Sequence, residues 1–172
     1  MFNTLKLFIG TILIVFTTQV FSQDKVKKGF KLYKGAYFSI QYPEKFKVNP
    51  LIKNSGIETL YDGAFFISPD KKVKFYVYSP QWSGSAPGID FDSKNEKKVD
   101  VKEETKNGIN TKWYTYARKD GSWTRSYQEV VNNSDSGHTV HVIGIEYADQ
   151  ESYKKYKSEY LTFKKSLQQF AD

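Results

Sequence analysis

The 172-residue sequence has no cysteine, one methionine, two histidines and only two arginines among its 26 basic residues. Each scarcity closes off a class of chemistry. Without cysteine there is no disulfide framework and no lipid anchor on a processed N-terminal cysteine. A domain with this composition has to be held together by its core alone. His138 and His141 are three apart in a strand pattern, so they point to opposite faces and cannot share a metal. No GxxxxGK[ST] or GxGxxG run offers a phosphate cradle. "SGSAPG" at 83–88 has the wrong spacing for a serine elbow, and Pro87 breaks the helix such an elbow needs. "DFDSKNE" at 90–96 begins like a calcium loop but places Lys94 where a ligand belongs, and no glycine follows. No metal, cofactor or catalytic residue is therefore assigned. A pair of carboxylates can still assemble from distant positions, which leaves a hydrolase of envelope polymers as an alternative.

The shortage of arginine bears on partners. The 24 lysines are hydrated point charges spread along the chain, whereas arginine supplies planar forks for phosphate or carboxylate. A diffuse lysine excess favours solubility and a weak pull toward anionic surfaces, and it does not read nucleic acid specifically. Adhesion to anionic surfaces driven by lysine is a second alternative function.

Long hydrophobic runs are absent except at the start. Lys6 precedes "LFIGTILIVF" and then "TTQVFSQ", the pattern of a secretory signal peptide with cleavage after Ser22. The apolar run is shorter than the roughly 20 residues a membrane-spanning helix needs. The expected organisation is a signal peptide over 1–22, a flexible basic N-terminus over 23–34 and a single domain over 35–172. The mature chain is then secreted or periplasmic, with no transmembrane anchor left. It carries 25 basic and 19 acidic residues, a net charge of +6. The lysine-rich stretch from 24 to 34 reads as a solvated tail, with a patch for anionic lipid or polysaccharide as the alternative.

Beyond residue 35 the sequence alternates in steps of two between turn residues. "AYFSIQY" places Phe38, Ile40 and Tyr42 on one face. "GAFFIS" and "KVKFYVYS" flank "SPDKK" as a hairpin with Val73, Phe75 and Val77 inward. "KKVDVKEET" and "INTKWYTYAR" form a second hairpin around Asn107-Gly108, and Asp120-Gly121 turns the chain into "SWTRSYQEVV". "HTVHVIGIEY" is apolar on both faces, as a mid-sheet strand covered above and below must be. Asp149 then caps a helix of about 20 residues. Its stripe of Tyr153, Tyr156, Tyr160, Phe163, Leu167 and Phe170 docks on the sheet or, alternatively, lies in a membrane interface.

The start "GAYFSIQYPEKFKV", the "SPD" hairpin, the meander and the closing helix from "IEYADQESY" to "KKSLQQF" resemble the PsbP-like superfamily. That group includes a photosystem extrinsic protein, a Ran-binding import factor and small exported bacterial proteins. Where the family often has tryptophan after the Tyr-Pro, this chain has Phe46. The resemblance implies an α+β fold: an antiparallel meander sheet against a long C-terminal helix, with a short helix or irregular layer on the other face. It also implies an accessory or binding role without catalysis. No binding residue of the family maps onto this chain.

The remaining signal is "WYTYARKDGSWTRSY" at 113–127, which holds both arginines and two of the three tryptophans. A two-residue turn at Asp120-Gly121 sets pairs that sum to 241. Arg118 then faces Trp123, Tyr116 faces Arg125, Tyr114 faces Tyr127 and Lys112 faces Glu129, all on one side. Opposite lie Ala117 with Thr124, Thr115 with Ser126, and Trp113 with Gln128, small enough to let a helix approach. The first face either stiffens a half-exposed sheet or serves as a contact surface of Tyr114, Tyr116, Arg118, Trp123, Arg125 and Tyr127, extended by Trp82. The expected function is an exported, non-catalytic binding module for an envelope protein or an anionic or sugar ligand.

Overall fold

The two-residue alternation becomes one large antiparallel sheet. The computed structural model describes residues 26–57, 59–80, 85–134 and 137–170. The signal segment, its cleavage point and Trp82 lie outside them. Among the described residues there are ten strands and one helix. A three-stranded sheet has the order β1 (Phe30–Lys34), β2 (Phe38–Pro43) and β10 (Gln168–Gln169). The seven-stranded sheet comprises β3 (Lys47–Lys53), β4 (Tyr61–Ile67), β5 (Val73–Tyr78), β6 (Glu96–Lys106), β7 (Ile109–Arg118), β8 (Thr124–Ser134) and β9 (Gly137–Tyr147). Its order is β3-β4-β5-β9-β8-β7-β6. The helix α1 spans Gln150–Lys165.

Strand β9 lies between β5 and β8 and is buried on both faces, as its doubly apolar centre requires. On one face Val73, Phe75, Val77, Ile143 and Ile145 join Phe38 and Ile40 of β2 and Tyr156 and Phe163 of α1 in the main core. On the other, Tyr76, Tyr78, Tyr114, Tyr116, Tyr127 and Val142 form a second core with Ile89 and Phe91. The covering layer there is irregular: residues 85–95, ahead of β6, lie across the sheet with Ile89 and Phe91 turned inward. A side chain at Gly144 would collide with the Tyr127 ring, which lies on the β9 backbone directly opposite it.

Two expectations are corrected. Phe30–Lys34 is not a free tail; it pairs with β2, from Phe30 opposite Pro43 to Lys34 opposite Ser39. The helix is 16 residues long and shorter than the stripe suggested. Ser166 ends it: its hydroxyl accepts from the Gln41 amide at 2.8 Å and donates to the Phe163 carbonyl at 2.8 Å. The chain then turns extended and pairs Gln168 with Ser39. Backbone pairing with the edge of β2 wins over one more helical turn, so Phe170 leaves the stripe and is 51% exposed. The rest of the stripe docks as its spacing predicts, with Asp149 accepting from the Ser152 amide at 2.7 Å as N-cap.

Asp70, in the turn between β4 and β5, ties that turn to the helix. It accepts from Ser68 Oγ at 2.6 Å, Lys155 Nζ at 2.8 Å and Tyr156 Oη at 2.9 Å. Desolvation works to raise its carboxyl, but these bonds and the Lys72 amide outweigh it and hold the group well below its ordinary value. A depressed carboxylate stabilises fully above its unfolded value, and the gain is lost as pH falls from there toward the folded value. Chemical denaturation should therefore show wild type more stable than Asp70→Asn near neutrality. That gap should close progressively as pH drops below about 4.

Candidate functional site: a clamped loop and its charged rim

The register of the aromatic-arginine hairpin is as the sequence predicts. Lys112 stands opposite Glu129, Tyr114 opposite Tyr127, Tyr116 opposite Arg125, and Ala117 opposite Thr124. The turn is wider than two residues. The Arg118 amide donates to the Trp123 carbonyl at 2.9 Å, and the Gly121 amide donates to the Arg118 carbonyl at 3.0 Å. Lys119 therefore does not pair with Ser122; its amide donates to the Asn95 carbonyl at 2.8 Å. Gly121 takes a positive φ of 76°, which a residue without a Cβ adopts at little cost.

The aromatic face is not half-exposed. Tyr114, Tyr116 and Tyr127 are buried beneath the segment that carries Ile89 and Phe91. Arg125 holds that segment down. Its Nε donates to Glu96 Oε1 at 2.8 Å and its Nη2 to Glu96 Oε2 at 2.7 Å. The same guanidinium donates to the carbonyls of Gly88 at 3.2 Å and Asp90 at 2.6 Å. Only 11% of the Arg125 side chain and 8% of Glu96 reach solvent. The guanidinium carbon lies 5.3 Å from the Tyr116 ring centre and 5.7 Å from that of Tyr127. The expected cation–π contact at Arg125 is present, and it serves a buried clamp. Burial works to raise the Glu96 carboxyl, yet Arg125 and the Asp92 amide outweigh it and hold Glu96 below its usual range.

The other expected cation–π pair does not form. Lys74 takes the place of Arg118 over Trp123, with Nζ 4.9 Å from the ring centre, and the same amine pairs with Glu146 at 2.9 Å. Arg118 is exposed, its Nε 3.9 Å from Asp120. Glu146 also accepts from the Tyr127 hydroxyl at 2.8 Å, a phenol that burial and this neighbouring carboxylate push well up. These groups surround an open recess of about 430 Å³ lined by Lys74, Asp90, Glu96, Arg118, Trp123 and Glu146, among others. Of the sequence-predicted contact residues, Arg118 and Trp123 reach its rim, and Arg125 forms part of its wall. Sequence reasoning missed Lys74, Glu96 and Glu146. Glu146 stands opposite Arg125 in the β8–β9 register, but Arg125 pairs with Glu96, so a cross-strand rule would have given Glu146 the wrong partner. Glu96 starts a strand on the far side of β7, and nothing local announces it.

The fold and this site define an antiparallel α+β scaffold with a loop clamped over one sheet face and a charged recess at the loop's edge. No family model matches the chain, and no curated protein matches it. Among solved structures it is similar to the Ran-binding protein Mog1p of Saccharomyces cerevisiae. The identity is 10% and the TM-score 0.41, over 83% of this chain and 96% of that one. A mutant of Mog1 is similar at 11% identity and TM-score 0.40, with the same coverage. Likeness at this level carries neither partner nor chemistry across. Among the described residues, no helix is long and apolar enough to cross a membrane.

Proposed function

We propose that this chain is an exported, non-catalytic binding module that meets its partner at the rim of the charged recess. Arg118 and Trp123 make the contacts, Lys74 braces the tryptophan, and the buried tyrosines with Arg125 support them from below. The carrying observation is that the two most enclosed carboxylates of the recess are already engaged. Glu96 is locked in an ionised pair with Arg125, and Glu146 is shared between Lys74 and Tyr127. An acid catalyst for glycoside cleavage needs a raised pKa and a free proton, and Glu96 is driven the other way. Tryptophan and arginine are the residues that dominate contact energies in protein interfaces. Lys74 and Arg118 share the lining with Asp90, Asp92, Glu96 and Glu146, so the partner class that fits is an envelope protein surface carrying both charges.

Export rests on the N-terminal pattern of Lys6, the apolar run and the small-residue neck. Intact mass of the protein recovered from culture should correspond to a chain beginning at Gln23; recovery with Met1 retained would refute export by cleavage. The mature protein, immobilised and challenged with envelope extract, should retain a specific protein band. An Arg118→Ala/Trp123→Ala variant should lose it by about tenfold or more, the effect of removing one or two contact residues. Equal retention by this variant, with an unchanged amide spectrum, would rule out the recess rim.

A further inference from the structure

The second face of the same hairpin carries a different opening. The sequence suggested that Thr115, Ala117, Thr124 and Ser126 would let a helix sit on β7 and β8. Instead α1 packs on β2, β5 and β9, where Phe75, Ile143 and Ile145 meet its rings. The polar part of the face, beyond β9, stays uncovered as a groove of about 640 Å³. Trp113, Thr115, Ser126 and Gln128 form its floor, and Asp100 and Lys102 of β6 its far side. Gln150, Tyr153, Tyr160 and Lys164 fall on one flank of α1 and form the wall. That flank runs roughly 21 Å at 1.5 Å per residue.

We propose that this groove binds an acidic oligosaccharide, with Lys164 pairing a uronate carboxylate and Trp113 supporting a pyranose ring. Three observations converge on that chemistry. First, among the described residues Lys164 has no carboxylate within ion-pairing distance although it is half-buried, and burial pushes its amine down. A desolvated, unpaired ammonium is complementary to an anion. Second, the floor offers hydroxyls and amides that both donate and accept, as sugar hydroxyls require; Thr115 and Ser126 already share a hydroxyl hydrogen bond at 2.8 Å. Third, the aromatic side chains stand among polar groups, the mixed lining of a small-ligand site.

Nucleic acid fits less well. Lys102 is spent on Trp113, 5.2 Å away, and on Glu104 at 3.6 Å, which leaves Lys164 as the one unpaired cation of the lining, enough for a single carboxylate and too few for a run of phosphates. Tyr147 and Tyr153 lie against each other with ring centres 5.0 Å apart, which leaves no open succession of stacking platforms.

Isothermal titration of the mature protein with tetragalacturonate, its methyl-esterified neutral form and octathymidylate tests the assignment. Tetragalacturonate should saturate with a Kd below about 1 mM, and the ester should bind at least about tenfold more weakly. Lys164→Met keeps the aliphatic stem and should weaken tetragalacturonate by about tenfold or more, whereas Lys164→Arg should retain it. Any of four results would overturn the proposal: no saturation by about 10 mM, equal affinity for the ester, wild-type affinity in a folded Lys164→Met protein, or tighter binding of octathymidylate. Arg118→Ala/Trp123→Ala should leave this binding unchanged, so the groove and the recess rim fail separately.

Discussion

Arg125→Ala should lower the unfolding free energy by about 3–5 kcal/mol, because it leaves the Glu96 carboxylate buried without its partner. It also takes the donors away from the Gly88 and Asp90 carbonyls. Against a total of about 5–15 kcal/mol for a domain of this kind, that is a large share. Urea unfolding measures it, and hydrogen exchange locates it: amides from Ile89 to Glu96 should lose protection ahead of those in β5 and β9. Arg125→Lys keeps the charge but not the planar fork, so it should recover only part of the loss. The double replacement Arg125→Met/Glu96→Leu, which removes both charges at once, should come out far milder than Arg125→Ala. A buried ion pair replaced by apolar groups forfeits little net energy. An Arg125→Ala protein as stable as wild type would show that the irregular layer stays down by its apolar contacts alone.

Phe163→Ala should cost a comparable amount, about 3–5 kcal/mol, from lost transfer energy plus the cavity left behind. Phe163 is 0% exposed, and its ring centre lies 5.2 Å from those of Phe66 and Phe75. It therefore joins the helix to β4 and β5 at one point. Leu161, on the same helix and 44% exposed, is the internal control: Leu161→Ala should change the urea midpoint little. Equal costs at the two positions would mean that the helix is not docked by this stripe.

What the sequence revealed follows from what fixes each feature locally. The pairs of the aromatic-arginine hairpin were legible because a turn flanked by alternating residues sets their register, and the register survives even though the turn is wider. Burial of that face was not legible. It depends on Ile89 and Phe91, which come from a segment with no period of its own and are held on the sheet by the Arg125–Glu96 pair together with their own packing on its tyrosines. Tyr76 and Tyr78, apolar on the same side as Tyr127, were the available hint that something must cover them. Strand β3 was missed because Pro50 interrupts it; the structure tolerates that proline because β3 is an edge strand with Pro50 opposite Ala64. Strand β1 was hidden by its lysines, which point outward from an edge. The end of α1 was misjudged because the ring spacing continues to Phe170, while the competing partner, the edge of β2, is about 130 residues away in the chain.

The central place of β9 has a consequence for how the polypeptide is made. Strands β3 to β5 and β6 to β8 are neighbours in sequence, yet they join only through β9, which is synthesised after both. Until β9 has been made, the chain can form at most two partial sheets, with β5 and β8 left as open edges. Neither half can complete a core, and such non-local pairing closes slowly.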